Sequence, residues 1–352
     1  MSPELEKIHR LCLSLAETSD PKMKWTWGEG LLGYALSLLD DYRGSNDFTS
    51  FLSSYCDYYV ANQPEVSSSD SSAPGLITYS QWKKTKKAEY KALTDKVLDY
   101  IENEPRLLEG IPNHFGHNTF SHLYPLSIWV DSLMMFSVFP AIYASESGDE
   151  KLLKYAAGLP AIFSKYLQDP ETGLWHHSYW TKEKRPYPGK GIYWGRGNGW
   201  VMAALPMLLE RLPDTDPAKA EIVAIFRKTA AGVLPTQQAD GLFSTLLRQK
   251  SYEETSCSAL IASGFLAGIR LGYLSKETYL APALRSFHAV MDKIRTNKKG
   301  QLEFAGISGP TIPLWPCPKL NYRLIGRKAN WSYGIAALVF AGLEFDRQNE
   351  GK

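Results

Sequence analysis

The 352-residue sequence has little of three things that mark specialised classes of protein. Its four cysteines, at positions 12, 56, 257 and 317, show no CxxC spacing, which argues against a thiolate zinc site and against a disulfide framework. No apolar run reaches the length of a membrane span. Lys and Arg together number 39 and Asp and Glu 37, so the formal charge of +2 is too even for the positive surface that nucleic acids or anionic membranes bind. We therefore expect no nucleic-acid partner, no membrane partner and no metal site.

The first twenty residues also lack the pattern of a secretory leader. Acidic residues stand among the apolar ones, and no basic segment followed by an apolar one ends at a small-residue cleavage site. Together with the scattered cysteines, this pattern predicts a cytoplasmic protein.

Helical periodicity is the dominant pattern in the chain. Apolar residues recur mostly three or four positions apart, and alternation with period two is rare. Several of the helical stretches are apolar on most faces, as in the inner layer of a double ring of helices. Because no linker divides the sequence, we predict an all-α fold and a single domain over residues 1–352, with six helical hairpins around one axis. The twelve predicted helices lie near 4–17, 28–43, 46–62, 76–86, 88–104, 124–145, 149–167, 197–211, 216–234, 252–272, 276–295 and 330–348.

Between these helices the sequence predicts long loops at 105–123, 171–197 and 300–329, and such loops tend to carry function. The Ser-rich run at 67–72 is typical of a loop within the same domain. A helical repeat solenoid is the rival architecture, but no motif recurs at a fixed period.

The densest chemical signal is the run GIYWGRGNGW at 191–200, which opens into an apolar helix. Alternating glycines let a ligand approach the backbone, and the faces of Trp194 and Trp200 suit a sugar ring. Arg196 and Asn198 can hydrogen-bond a carboxylate or hydroxyl groups. The run lacks the Gly-Lys-Ser/Thr of a phosphate loop and the spacing of a dinucleotide fingerprint. The structural alternative is a tight turn whose tryptophans belong to the core.

A second signal is Asp131, a single acid within the otherwise apolar stretch 124–135, which the periodicity predicts to be helical. Burial raises the pKa of a carboxyl group toward the value that a general acid needs at neutral pH. The alternative is a buried aspartate that caps a helix or pairs with an arginine.

Aromatic and histidine residues crowd the neighbouring segments 25–30 and 173–180, a composition typical of carbohydrate sites. Metal binding by His114, His117 and His122 is an alternative, although their spacing matches no metalloprotease pattern.

Two further catalytic arrangements are weaker. No Gly-x-Ser-x-Gly turn marks a nucleophilic serine. Glu253 and Glu254 form a possible acid pair, but glutamates at the start of a helix usually favour its dipole.

Four stretches of this sequence resemble the unsaturated glycuronyl hydrolases of glycoside hydrolase families 88 and 105, most closely the unsaturated rhamnogalacturonyl hydrolases of family 105. They occur in the family's order and span most of the chain. The resemblance implies an (α/α)6 barrel that needs no cofactor. The four stretches are Trp129–Met134, Trp194–Trp200, Glu254–Ala259 and Asn330–Gly334.

The resemblance also implies an activity, the release of a terminal 4,5-unsaturated uronic acid from oligosaccharides that polysaccharide lyases leave behind. The family's general acid and base falls on Asp131, which would protonate C4 and help deliver water to C5. A second family aspartate falls on Asp70, four residues before Pro74-Gly75. The alternative for Asp70 is a solvated loop residue.

The same resemblance assigns residues to substrate binding. The family histidine that follows Gly-Leu-Trp falls on His177, which would orient water or the uronate. Phe120 stands where family members commonly carry a histidine, and His117 or His122 are candidates to replace it. The remaining pocket residues implied are Trp27, Trp194, Arg196, Asn198 and Trp200.

Simple chemistry favours the same reaction, because hydrating an enol ether takes a proton donor, a placed water and a clamp for the carboxylate. Asp131 fits the proton donor, and Asp70 or His177 fits the placement of the water. Arg196 fits the clamp for the carboxylate. Two other functions stay open: an inverting glycosidase that uses Asp70 and Asp131 on a saturated glycoside, and a carbohydrate-binding helical protein without catalysis.

Overall fold

The computed structural model describes residues 1–350, and side chains up to residue 348. Helices dominate it, and each of the twelve predicted helical stretches overlaps one. The helices are α1 (Pro3–Thr18), α2 (Trp27–Arg43), α3 (Thr49–Ala61), α4 (Ser69–Ser72), α5 (Gly75–Thr85), α6 (Ala88–Asn103), α7 (Phe139–Ser147), α8 (Glu150–Leu167), α9 (Gly195–Leu209), α10 (Lys219–Val233), α11 (Thr255–Arg270), α12 (Lys276–Met291), α13 (Pro318–Leu324) and α14 (Ser332–Glu350). A π-helical turn, Met134–Val138, leads directly into α7.

Six of these helices form a closed inner ring. Helix α2 packs against α5, α5 against α7, and the π-helical turn before α7 against α9. The ring continues from α9 to α11 and α14, and α14 packs against α2. The outer helices α1, α3, α6, α8, α10 and α12 each pack against an inner one. This arrangement is an (α/α)6 barrel, and it confirms the predicted fold.

The inner helices are buried on nearly all sides, as their apolar composition predicts. Helix α9 buries every residue except Met207, and α11 buries all but its last two residues. The two helices approach closely at glycines. A Cβ atom on Gly264 would lie 2.4 Å from the carbonyl oxygen of Met202, so only glycine allows this packing.

Short antiparallel strands join the helices. They were not predicted, because alternation over two or three residues is too brief to detect. Strand β3 pairs with β4 and β4 with β5, and the other pairs are β1 with β2, β6 with β7, β8 with β9 and β10 with β11. The strands are β1 (Arg106–Leu108), β2 (Ile111–Pro112), β3 (Ser127–Trp129), β4 (Ser178–Trp180), β5 (Arg185–Tyr187), β6 (Tyr193–Trp194), β7 (Leu246–Leu247), β8 (Ile294–Thr296), β9 (Leu302–Phe304), β10 (Ile307–Ser308) and β11 (Arg327–Lys328).

The predicted helix at 124–145 is wrong at its start. Residues 127–129 form strand β3, residues 130 and 131 form a turn, and the helix begins only at 132. The physical reason is the pairing of Trp129 with Ser178 across β3 and β4, continued by the Val130 N–H, which donates to the His177 carbonyl at 2.9 Å. Asp131 therefore precedes the helix instead of lying within it.

The Ser-rich run is also more ordered than the predicted loop. It contains the short helix α4, closed by a capping box in which the Ser68 hydroxyl accepts from the Ser71 N–H. Ser69 and Ser72 are fully buried. Because α4 packs against the π-helical turn, it places Asp70 near the start of the helix that follows Asp131.

No helix within residues 1–350 is long and apolar enough to cross a membrane.

Candidate active site

The candidate residues lie where the inner helices begin. Trp27 is the first residue of α2, Arg196 is the second of α9, and Asp131 directly precedes the helix that leads into α7. The Trp27 ring stacks on Tyr333 near the start of α14, with centroids 4.4 Å apart, and meets Trp200 edge-on at 6.4 Å. The positive ends of the helix dipoles therefore converge here, which favours an anionic ligand.

Asp131 and Asp70 interact electrostatically at this end of the barrel. Burial raises the pKa of Asp131 to about 6, against the lowering effect of backbone N–H groups and of the Arg196 charge. Burial also raises the pKa of Asp70, to about 8, and the negative charge of Asp131 adds to that effect. As a coupled pair, the two carboxyl groups hold one proton between about pH 6 and pH 8.

His114 lies between Asp70 and the residue that follows Asp131. Its ring stacks on Trp129 at 4.2 Å, and its Nδ1 is 2.8 Å from the hydroxyl of Ser132, the residue after Asp131. Its Nε2 lies 3.9 Å from Oδ1 of Asp70. Burial lowers the pKa of His114 to about 3, so the ring is neutral at physiological pH. A neutral imidazole in this place polarises the site without adding a cation.

The other histidines of that loop have separate surroundings. His117 contacts Glu104 through Nδ1 at 2.8 Å, and His122 ends a short 3-10 turn. In the part of the chain that the structure describes, no three His, Cys, Asp or Glu side chains are grouped as metal ligands would be.

His177 lies on the other side of the contact with Trp129, whose ring it meets edge-on at 4.7 Å. Its fully buried ring stacks on Trp194 at 4.1 Å, and its Nδ1 is 2.7 Å from the hydroxyl of Tyr322. Burial, with the nearby His114 and Arg196, holds its pKa well below the usual value. Tyr322 was not predicted as a site residue, because α13 is a seven-residue helix inside a Pro-rich segment predicted as a loop.

Arg196 is fully buried beside these aromatic rings. Its guanidinium lies between the rings of Trp194 and Tyr333, at 4.8 and 4.7 Å from their centroids. It donates to the carbonyl groups of Ser308 and Gly309 at 3.1 and 3.0 Å. Its terminal nitrogens therefore hold the end of β10 and the residue after it, and Nη1 also lies 3.9 Å from the carboxylate of Glu254. Only Nε has no partner among the described residues.

Asn198 is also fully buried, and its side-chain amide is engaged by backbone groups. Its Oδ1 accepts from the Trp175 N–H at 2.8 Å, and its Nδ2 donates to the carbonyl groups of Trp175 and Trp194. These bonds fix the segment before His177 to the start of α9, so Asn198 shapes the site through the backbone.

Several buried polar atoms at this end have no hydrogen-bond partner among the described residues. A cluster of such atoms is typical of a site that is completed by a polar ligand or by water. The atoms are Oδ1 of Asp131, Nε2 of His177, Nε of Arg196 and the indole Nε1 of Trp194, Trp200 and Trp331.

Glu254 caps a helix. It is the N-cap residue of α11, and its fully buried carboxylate accepts from the N–H groups of Ser256, Cys257 and Ser308. This contact agrees with the interpretation that Glu254 favours the helix start.

A helical barrel whose open end combines coupled carboxyl groups, buried polar atoms and aromatic rings defines the class, a carbohydrate-processing enzyme. The comparison with known proteins agrees and is more specific. The chain belongs to glycosyl hydrolase family 88, whose model matches residues 7–348, and it is a glycosidase.

Two relatives illustrate the sequence similarity. The unsaturated rhamnogalacturonyl hydrolase YesR of Bacillus subtilis is 25% identical over 288 residues, which cover 80% of each chain. The unsaturated 3S-rhamnoglycuronyl hydrolase of an Alteromonas species is 30% identical over 152 residues. That second match spans 42% of this chain but only 37% of the relative.

Solved structures share the fold. A possible member of family GH105 from Klebsiella pneumoniae superposes with a TM-score of 0.86 at 21% identity, covering 99% of this chain and 94% of that one. The unsaturated glucuronyl hydrolase of Bacillus sp. GL1 gives 0.74 at 15% identity, covering 97% and 95%.

Proposed function

We propose that this enzyme releases the terminal 4,5-unsaturated uronic acid from lyase-generated oligosaccharides, with rhamnogalacturonan or pectin fragments as its main substrates. The names of the relatives support this activity, and YesR, which matches over 80% of each chain, supports the pectin-type substrate. The observation that carries the proposal is the pair of carboxyl groups, Asp70 and Asp131, which interact electrostatically and whose pKa values are both raised. Residues 1–352 would form a single catalytic domain.

The proposed reaction adds one water molecule across the C4=C5 bond. Asp131 donates its proton to C4, water adds to C5, and the proton that this water loses returns to the carboxyl pair. The hemiketal formed at C5 opens to a ketone, and the ring oxygen leaves C5 as a hydroxyl on C1. The hemiacetal at C1 then collapses to an aldehyde and releases the shortened sugar. This acid–base route needs no cofactor.

The surroundings of the pair suit an anionic substrate. The converging helix starts, the Nε2 of His177 and the Nε of Arg196 face the place where the uronate carboxylate would bind. A carboxylate bound there raises the pKa of Asp131 further, so the proton shared by the pair becomes available at Asp131. Turnover should therefore fall as pH rises above about 8, where the pair loses its last proton.

The remaining pocket residues would bind the sugar in two ways. Trp27 is partly exposed at this end of the barrel and would offer its ring to a sugar face, whereas the buried Trp194 and Trp200 would donate their unpartnered indole N–H groups. In this proposal Asn198 contributes by fixing the segment that carries His177.

We also propose that the enzyme works in the cytoplasm. Cys12, Cys56, Cys257 and Cys317 are all free thiols, as is usual in a reducing compartment. Short unsaturated oligosaccharides would have to be imported before they reach it.

Incubation with lyase digests of several polyuronides tests the activity. We expect loss of the ultraviolet absorbance of the conjugated double bond, with release of a shortened saturated oligosaccharide. Turnover of saturated glycosides with none of the digests would favour the inverting glycosidase. Binding of the digests without any turnover would favour the non-catalytic protein.

A further inference from the structure

Two loop segments expose nearly all of the large apolar side chains on the described surface. Apart from Met1, every exposed large hydrophobic residue among residues 1–348 lies within 120–126 or 314–324. Their exposed fractions range from 49% for Leu126 to 76% for Leu123. Such residues are rarely concentrated on one part of a monomer, so the concentration indicates an interface. The seven residues, named the apolar patch below, are Phe120, Leu123, Leu126, Leu314, Trp315, Leu320 and Leu324.

The two segments form one surface. The hydroxyl of Tyr124 donates to the Pro313 carbonyl at 3.0 Å and so ties the first segment to the second. Phe120 and Ile312 line the same cavity, which places the two segments on either side of it. The side-chain amide of Asn321 in turn donates to the Ile312 carbonyl at 2.6 Å and holds α13 against the same segment. The exposed side chains therefore belong to one face of the molecule.

Helix α13 turns its apolar side outward. Leu320 and Leu324 are four positions apart and share one side of the helix, whereas Tyr322 lies on the opposite side. Tyr322 is fully buried, and its hydroxyl is 2.7 Å from Nδ1 of His177. The polar group thus points into the protein and the two leucines point into solvent, which is the reverse of the usual arrangement on a surface helix.

We propose that the apolar patch is the interface of a homodimer, in which it packs against the same patch of a second copy of this chain. A large side chain exposes roughly 200 Å² when free, so the seven residues together present about 800–900 Å². A stable interface of standard size buries about 800 Å² on each partner. A two-fold axis through the patch places its leucines against those of the second copy and closes the assembly at two chains.

The low charge of the patch favours a second copy over other occupants. Residues 120–126 include no Asp, Glu, Lys or Arg, and residues 314–324 include only Lys319 and Arg323. The Arg323 guanidinium already donates to the Lys250 carbonyl at 2.8 Å. Two cations are too few to hold an anionic membrane surface. A charge-depleted, apolar surface is instead typical of homodimer interfaces.

The residue types also argue against carbohydrate as the occupant. Five of the seven residues are leucines, whose branched side chains offer no flat face for a sugar ring. Leucine-to-leucine packing across a two-fold axis uses them fully.

The mass of the wild-type protein in solution is the first test. At about 50 µM, light scattering and sedimentation velocity should give twice the mass of the chain, because interfaces of this size have micromolar or tighter dissociation constants. A monomer at that concentration would overturn the proposal, whether or not anionic phospholipid vesicles or lyase digests bind to the patch.

A double variant tests which face is used. Trp315→Ser combined with Leu324→Ser should raise the dissociation constant of the dimer about a hundredfold or more, because large apolar anchors dominate such interfaces. Lys319→Ser, on the same exposed helix, is the matched control and should dimerise as the wild type does. An unchanged dissociation constant in a double variant with the wild-type circular dichroism spectrum would overturn the assignment of this face.

Cys317 allows a test that requires no substitution at the patch. Its thiol is exposed beside Trp315, whereas Cys12, Cys56 and Cys257 are buried. Protein labelled in dilute solution with a polyethylene-glycol maleimide and then concentrated should stay monomeric, because the polymer blocks the patch. Cys317→Ser, treated in the same way, should dimerise. A labelled wild-type protein that still dimerises would place the interface elsewhere and overturn the proposal.

Discussion

Each end of the inner ring has a cavity of about 260 Å³, but the charged groups around the two cavities differ. At the end where the inner helices start, no lysine or arginine of the described chain pairs with Asp70 or Asp131 within 4 Å. At the opposite end Arg270 binds Glu344 through two hydrogen bonds of 2.8 and 2.9 Å and Glu210 at 2.8 Å. Arg347 also pairs with Glu344.

The two ends therefore do not differ in cavity size. They differ in whether their carboxyl groups are paired with a lysine or arginine. Carboxyl groups that are largely removed from water and have no cationic partner raise the free energy of the folded state, and such groups are common where they serve a reaction. A carboxylate paired with an arginine, like Glu344 with Arg270, stabilises the fold but is a poor proton donor. The predictions below test this contrast, beginning with the largest effect.

Replacing Asp131 by Asn should abolish most turnover. The amide cannot donate a proton to C4, so kcat should fall by about a thousandfold while the fold is retained. Loss of double-bond absorbance measures it, with circular dichroism as the check on folding. Asp214→Asn is the control, since that side chain is 99% exposed and pairs only with Lys219. Wild-type turnover by the Asp131 variant would remove Asp131 from this role.

Replacing Arg270 by Met, at the other end, should lower stability and leave activity unchanged. It leaves Glu344, only 8% exposed, short of its bidentate partner, and should lower the free energy of unfolding by about 3 kcal/mol. At temperatures where the variant is folded, kcat/KM should be unchanged. Lys190→Met, which breaks an ion pair with both partners exposed, should cost less than about 1 kcal/mol. A fall in kcat/KM of the folded Arg270 variant, without a fall in its free energy of unfolding, would contradict the contrast between the two ends.

Replacing Asp70 by Asn should stabilise the protein at high pH. The folded-state pKa of Asp70 is raised from 3.8 to about 8, so the stability that its proton provides is complete below about pH 4 and is lost as pH rises to 8. The neutral amide avoids this loss. Because 34% of the side chain is exposed, solvent limits the gain at pH 8 to about 1–2 kcal/mol. Denaturant unfolding at about pH 4 and pH 8 measures it, and an equal gain at both would contradict the raised pKa.

Replacing Tyr322 by Phe tests a positioning residue. It removes the hydrogen bond to Nδ1 of His177 and should lower kcat/KM by about tenfold, with a change in the pH profile. Tyr124→Phe is a matched control, because the hydroxyl of Tyr124 donates to the Pro313 carbonyl instead of to His177. A profile of unchanged shape in the Tyr322 variant would indicate that Tyr322 only fills space.

The sequence predicts the barrel well, because inner helices such as α9 and α11 are apolar on nearly every face and this pattern is local. It fails at the start of the helix after Asp131, where pairing between β3 and β4 decides the backbone conformation. Those partners are about fifty residues apart in the chain, and no periodicity reports such a contact. The same limit explains why Tyr322 could not be connected with His177.

Within the site, the residue types predicted which groups have unusual chemical properties, but they did not predict which atoms each side chain contacts. Asp131 was singled out as one acid in an apolar stretch, and the structure gives it a raised pKa. Arg196 and Asn198 were predicted as pocket residues, and the structure shows that both are fully buried and bind backbone groups, with Nε of Arg196 left without a partner among the described residues. A single sequence does not distinguish a side chain that touches substrate from one that holds the wall behind it.

The guanidinium of Arg196 joins the start of α9 to Ser308, Gly309 and the ring of Tyr333, more than a hundred residues later in the chain. A nascent polypeptide that has completed its first hairpins therefore possesses both aspartates but no closed chamber around them. The proposed reaction would therefore require the last hairpin to be docked, and turnover would report that the helical ring has closed.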